Sequence, residues 1–247
     1  MTPADSTKRI AALLGKLRAA STAETHVHTN AEPGAVAANA PDAPGGRRND
    51  PVLTELIRSI LVEDATLAVA EAQLSRLGAA MVDANELRVC LPAEVVAILQ
   101  TRSAETLARA VSIRSSLGEI FRREHAVSLH RLIGHGKREA VEYIGSLPGV
   151  SPFAAARTLL LALDVHAMPV DACLAGRLSA AGVVDKSASP TEIAAMLTKA
   201  VRAGEGPVAY QMLREWSQTA AAAKRPAVKT RAKTPRRAAS RRKTKTS

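Results

Sequence analysis

The sequence has 247 residues, 47% of them hydrophobic but only 2% aromatic, so its core must consist mainly of Ala, Leu, Val and Ile, a composition that favours helices. Its two cysteines, Cys90 and Cys173, exclude a disulfide scaffold, a four-cysteine zinc site and a four-cysteine iron–sulfur cluster made by this chain alone. The formal charge of +11 is uneven: eleven of the 34 basic residues lie in residues 220–247, which leaves 23 basic residues to balance 23 acidic ones.

Residues 1–20 are predicted to form a short amphipathic helix, because aliphatic residues recur there at helical spacing with basic residues between them. Residues 21–49 contain proline, glycine and polar residues without periodicity, which predicts a flexible linker. No apolar run approaches the length of a membrane span, and no membrane contact is expected. We therefore expect a soluble cytoplasmic protein, associated with the nucleoid if it is bacterial, whose protein partners the sequence does not indicate.

A helical domain is predicted over residues 50–219. It begins at Asp50-Pro51, where an N-cap residue precedes a proline at the first helical position. No alternating β-branched runs joined by a hairpin signal occur, so the domain is expected to be all-α. The further helices are predicted at about residues 65–77, 92–101, 104–123, 137–146, 152–163, 171–181, 190–203 and 207–219.

Residues 220–247 are predicted to form a disordered tail, because they carry eleven basic residues, no acidic residue and almost no large apolar side chain. Such segments bind nucleic acid by displacing counterions from the phosphate backbone, without reading base sequence. A solubilising extension is the alternative interpretation. The DNA contacts predicted in the tail are Lys224, Arg225, Lys229, Arg231, Lys233, Arg236, Arg237, Arg241, Arg242, Lys243 and Lys245.

The most informative motif is a tight turn between two helical segments, Leu147-Pro148-Gly149-Val150-Ser151. Pro148 ends the helix before it, Gly149 permits a backbone conformation that other residues avoid, and Pro152 begins the next helix. Backbone N–H groups at that helix start can face an anion such as a DNA phosphate. These five residues are therefore predicted to bind the DNA backbone.

The segment resembles the helix–hairpin–helix of the endonuclease III-like (HhH-GPD) DNA glycosylase superfamily, in which a Leu-Pro-Gly-Val-Gly hairpin is followed by a helix and a Val-Asp pair. Val170-Asp171 matches that pair, and it ends 18 residues after Phe153, which stands where bifunctional members carry their catalytic lysine. The resemblance covers about residues 50–218. It implies an all-α glycosylase-like domain, base-excision repair as the setting and double-stranded DNA as the partner.

Four departures from the family pattern concern chemistry. Phe153 offers no amine for a Schiff base, so strand-cleaving lyase activity is not expected. Cys173 stands where the family commonly has a histidine, Asp64 near its glutamine, and Ser151 at the second glycine of its hairpin. The cysteine quartet that many members carry after the closing helix is replaced by the basic tail. We therefore expect no iron–sulfur cluster, no other cofactor and no metal site.

Asp171 is the candidate catalytic residue that the resemblance supplies, because in the family this carboxylate activates water or stabilises the developing oxocarbenium ion. Its alternative role is that of N-cap to the following helix. Phe153 is interpreted as a packing residue, and Cys173 as a small buried hydrophobe. Two functions stay open. One is a DNA-binding member of the glycosylase superfamily without lyase activity and with degenerate catalysis; the other is a monofunctional glycosylase in which Asp171 assists hydrolysis of the N-glycosidic bond of a damaged or mismatched base.

Overall fold

The computed structural model describes residues 3–25 and 50–224, with side chains described for residues 5–20 and 50–219. Within these ranges the chain forms helices and turns and no strand, so the predicted all-α class is confirmed. No helix in the described ranges is long and apolar enough to cross a membrane. The α-helices are α1 (Pro3–Thr25), α2 (Pro51–Val62), α3 (Leu67–Ala80), α4 (Ala84–Val89), α5 (Pro92–Leu99), α6 (Ala104–Glu124), α7 (Lys137–Gly145), α8 (Pro152–Ala162), α9 (Ala172–Ala180), α10 (Pro190–Ala200) and α11 (Gly206–Lys224).

The start of α2 shows how side-chain caps fix the helices in this fold. Asp50 Oδ1 accepts a hydrogen bond from the Leu53 N–H at 2.9 Å, as predicted for an N-cap. Asp50 Oδ2 accepts two more, from Ser128 Oγ and from the Leu129 N–H, each at 2.7 Å. The buried carboxylate therefore both begins α2 and ties it to the loop that follows α6.

Helix α2 lies at the centre of the domain, because nine of its twelve residues are buried. It packs against α8, α3 and α6, while α5 packs against α3 and α6. On the other side of the domain α11 contacts α8 and α9, and α1 contacts α10 and α11. The core is aliphatic, as the composition predicts, and its fully buried side chains include Leu56, Ile57, Leu61, Leu74, Leu77, Ile113, Leu117 and Ile120.

Helix α1 docks on the domain, a question that the sequence leaves open. Ile10 and Leu14 are buried against α10 and α11. Arg9 Nη1 donates to the Gly182 carbonyl at 2.7 Å, and Arg18 forms an ion pair with Glu205. The helix continues to Thr25, past the boundary predicted after residue 20. The physical reason is that Pro33 is the first proline or glycine after Gly15, so no helix breaker stands at the predicted boundary.

The prediction also misses one helix and misplaces the ends of others: α3 runs to Ala80, past the end predicted at about residue 77, and α10 ends at Ala200, before the end predicted at about residue 203. Helix α4 is absent from the sequence-based prediction, although Asp83 and Glu86 form a reciprocal cap at its start: Asp83 Oδ1 accepts from the Glu86 N–H at 2.8 Å, and Glu86 Oε2 accepts from the Val82 N–H at 2.7 Å. Helix α11 runs to Lys224, into the segment predicted to be disordered from residue 220, because four alanines favour helix there.

Candidate functional site

The hairpin between α7 and α8 has the backbone that its sequence predicts. Gly149 has a φ of +78°, in the left-handed region, and a Cβ at this position would lie 2.8 Å from the Cα of Ser112 on α6. Glycine is therefore required both by conformation and by space. Leu147 is buried beneath the turn and its carbonyl accepts from the Val150 N–H at 3.3 Å. The close contact with α6 is the part that the sequence does not reveal.

Ser151 connects the hairpin to the loop that follows α2. Its Oγ accepts a hydrogen bond from the Ala154 N–H at 3.0 Å, which makes Ser151 the N-cap of α8. The same hydroxyl donates to Glu63 Oε2 at 2.8 Å. A glycine here would make neither bond, so the serine adds a cap and a polar contact across 88 residues of sequence.

Glu63 is a half-buried carboxyl group that the sequence did not single out. Arg109 on α6 donates to its backbone carbonyl at 2.5 Å, which holds the residue in place. Burial raises the pKa of Glu63, and the negative charges of Asp64 and Asp171 raise it further, while the hydrogen bond from Ser151 and the charge of Arg109 act in the opposite direction. Glu63 can therefore hold a proton at a higher pH than an ordinary glutamate.

Asp171 has both of its carboxylate oxygens engaged inside the protein. Oδ1 accepts from the Leu174 N–H at 2.8 Å, so Asp171 is the N-cap of α9, the alternative role predicted from the sequence. Oδ2 accepts from Arg214 Nη1 at 2.7 Å. The Asp171 side chain is only 3% exposed and that of Arg214 only 11%, so the two form a buried ion pair.

Arg214 occupies the space between Asp171 and α8. Its Nη2 donates to the Val62 carbonyl at 2.8 Å and to the Ala65 carbonyl, both in the turn after α2. Its guanidinium carbon lies 5.7 Å from the centroid of the Phe153 ring. Phe153 is itself buried in the core, as predicted for a packing residue. One arginine thus links α8, α9 and the end of α2.

The structure brings the predicted hairpin and Asp171 into one cluster, joined by residues that were not predicted from the sequence. Those residues are Glu63 and Arg214, and nothing in the local sequence marks either one. The interpretation of Cys173 as a buried hydrophobe is wrong, because the residue is exposed. Of the predicted contacts in the tail, Lys224 ends α11 and the other ten lie outside the described residues.

The residues present do not fit an iron–sulfur cluster of four cysteine ligands. Cys90 is half-buried at the end of α4, with its Sγ 3.9 Å from Met81 Sδ, whereas Cys173 lies exposed on α9. In the described part of the chain, no group of three or more His, Cys, Asp or Glu side chains is placed to hold a metal ion.

No protein-family model and no curated protein matches the sequence, whereas several solved structures match the fold. A non-covalent complex of endonuclease III with DNA is matched with a TM-score of 0.58 and 16% identity, over 87% of this chain and 86% of that one. A trapped covalent intermediate of endonuclease III with DNA is matched with a TM-score of 0.54 and 19% identity, over 71% of this chain and 78% of that one.

The 8-oxoguanine glycosylase/lyase of Clostridium acetobutylicum, in complex with double-stranded DNA containing cytosine opposite 8-oxoG, gives a TM-score of 0.55 and 15% identity, over 70% of this chain and 61% of that one. At these identities the likeness concerns the fold. It agrees with the helical order and with the hairpin, which follow from this chain's own residues. The chain therefore has the helix–hairpin–helix fold of the endonuclease III-like DNA glycosylases.

Proposed function

We propose that this protein binds duplex DNA through the Leu147–Ser151 hairpin and does not remove bases. The hairpin supports the binding part, because it presents a left-handed glycine and a helix N-terminus at an exposed turn, the arrangement that accepts a phosphate. The matched structures of endonuclease III and the 8-oxoguanine glycosylase/lyase are complexes with DNA, which favours the same ligand for this chain.

The observation that carries the proposal is the closed environment of Asp171. A carboxylate that activates water needs an oxygen directed at that water, in a site that admits the substrate. Both oxygens of Asp171 are engaged, one by the Leu174 N–H and one by Arg214, and the side chain is almost fully buried. Phe153, at the position of the family's lysine, fills the space next to Arg214 instead of offering an amine.

A second candidate function is that of a monofunctional glycosylase, and the observation that favours it is Glu63. A carboxyl group with a raised pKa is suited to donate a proton to a leaving base, and the pKa of Glu63 is raised in part by the charge of Asp171. In this alternative Asp171 would assist hydrolysis from its capped position. Strand cleavage through a Schiff base is not part of either candidate, because Phe153 carries no nucleophile.

A single-turnover base-release assay distinguishes the two candidates. Duplexes carrying a panel of damaged and mismatched bases are incubated with an excess of protein, and binding is measured on the same duplexes. We expect binding to every duplex and no release of any base by the wild-type protein. Release of one base would contradict the proposal, and its loss in Asp171→Asn, confirmed as folded and compared at equal DNA occupancy, would assign the chemistry to Asp171.

We also propose that the basic tail adds affinity that does not depend on base sequence. Deleting residues 225–247 leaves α11 whole and removes ten of the eleven tail cations. We expect binding to any duplex to weaken. The negative slope of log affinity against log salt should become less steep, by about 0.9 for each phosphate that the tail neutralises in the full-length protein. The matched control replaces these ten residues with glutamine at unchanged length, and it should behave like the deletion. An unchanged salt slope would exclude the tail from DNA binding.

A further inference from the structure

Glu63 is held against the DNA-binding hairpin by its surroundings. Its side chain reaches from the turn after α2 to the hydroxyl of Ser151, the last residue of the hairpin, at 2.8 Å. Its backbone carbonyl accepts from Arg109 on α6 at 2.5 Å. The carboxyl group is only half-buried, so a ligand bound at the hairpin would share its environment.

The charged groups around Glu63 include more carboxylates than guanidinium groups. The acidic groups that face it are Asp64, in the same turn, and Asp171, at the start of α9. The basic groups are Arg109, which binds the Glu63 carbonyl, and Arg214, which binds Asp171 and the carbonyls on either side of the turn. With Glu63 ionised, three carboxylates therefore face two guanidinium groups, and Glu105 on α6 is a further acidic neighbour of Arg109. Protonation of Glu63 removes one of these negative charges.

An ionised Glu63 must repel a phosphate that approaches the same turn. Two like charges a few ångströms apart at a protein surface interact by about 1 kcal/mol or more, depending on how far solvent screens them. Neither arginine can move to offset this repulsion without breaking a contact that it already makes, one to Asp171 and one to the Glu63 carbonyl.

We propose that Glu63 sets the affinity of the Leu147–Ser151 hairpin for the DNA backbone, because its negative charge opposes phosphate binding and its neutral form permits tighter binding. The inference rests on the proposed function. Ionised Glu63 would weaken DNA binding, so the affinity for DNA should increase as the pH falls. The sign follows from the charge, because protonation removes the negative charge that repels the phosphate. Burial raises the pKa of Glu63, so this change occurs at a higher pH than for an ordinary glutamate.

The test compares the wild-type protein with Glu63→Gln in binding to one short duplex at constant ionic strength. Glutamine has nearly the same shape, and its amide oxygen can accept the hydrogen bond from Ser151. At about pH 7.5 we expect Glu63→Gln to bind about three to ten times more tightly than wild type. As the pH is lowered from there, the wild-type affinity should approach that of the variant. Comparing the two curves removes the contribution of histidines, which titrate in both proteins.

Asp64→Asn is the matched control, because it removes a neighbouring negative charge on an exposed side chain, whereas the hydroxyl of Ser151 donates to Glu63. We expect it to change the affinity less than Glu63→Gln, since solvent screens an exposed charge. An equal effect of both variants would show a response to net charge alone and would overturn the inference. Glu63→Ala, which also lacks the charge, serves if Glu63→Gln does not fold.

The proposed function and the role of Glu63 fail differently. If neither the wild-type protein nor any variant binds duplex DNA at any pH, the proposed function is wrong. If wild type binds but Glu63→Gln and Glu63→Ala bind no more tightly at about pH 7.5, the role of Glu63 is wrong while the DNA-binding function stands.

Discussion

Replacing Arg214 with alanine is expected to lower the free energy of unfolding by about 3–5 kcal/mol, the usual cost of removing one partner of a buried ion pair. The change leaves the Asp171 carboxylate buried without its cation. It also removes the donor to the Val62 and Ala65 carbonyls and the contact with the Phe153 ring. Urea unfolding followed by circular dichroism measures the loss directly.

Arg138→Ala is the matched control for this prediction. Arg138 is also an arginine in an ion pair, with Glu142 on α7 at 3.0 Å, but its side chain is 93% exposed. Exposed pairs at this spacing contribute about 0.3–0.5 kcal/mol, so the control should unfold almost like wild type. If Arg214→Ala were equally harmless, the buried pair would not be a source of the stability of the site.

Replacing Gly149 with alanine is expected to destabilise the protein by about 2–4 kcal/mol and to abolish binding through the hairpin. The left-handed conformation alone costs a non-glycine residue about 1–2 kcal/mol. The added Cβ would also lie 2.8 Å from the Ser112 Cα, a backbone atom that cannot move without shifting α6. Unfolding in urea gives the first quantity, and binding of the folded variant to a short duplex gives the second.

Gly118→Ala provides the comparison, because Gly118 lies within α6 and nothing stands within 4 Å of the added Cβ. Alanine favours helix over glycine, so this variant should be stabilised by about 0.5–1 kcal/mol and should bind DNA as wild type does. A Gly149→Ala protein of normal stability and affinity would show that the hairpin tolerates another backbone, and would remove it from the proposed interface.

The local sequence was sufficient to predict most of the helices and the hairpin. Asp50-Pro51 and Ser151-Pro152 each place a capping side chain before a proline, and both mark helix starts in the structure. The Leu-Pro-Gly turn was likewise predictable, since the conformations of proline and glycine are restricted by their own geometry. The ends of α1 and α11 were predicted too early, because helix ends without a breaking residue have no sharp local signal.

The environment of the site was not predictable in the same way. Asp171 could be identified as a helix cap from its neighbours, but its ion pair with Arg214 spans 43 residues, and the contact between Ser151 and Glu63 spans 88. The exposure of Cys173 likewise depends on how α9 packs in the fold, which its neighbours in the sequence do not reveal.

The sequence by itself therefore determined the helical class and the hairpin, because both depend on the chemistry of adjacent residues, and it offered the N-cap as one of two roles for Asp171. Only the tertiary structure decided that Arg214 closes Asp171 and that Glu63 lies against the hairpin. Both contacts arise from the packing of helices distant in the sequence, which aligns side chains that no local pattern relates.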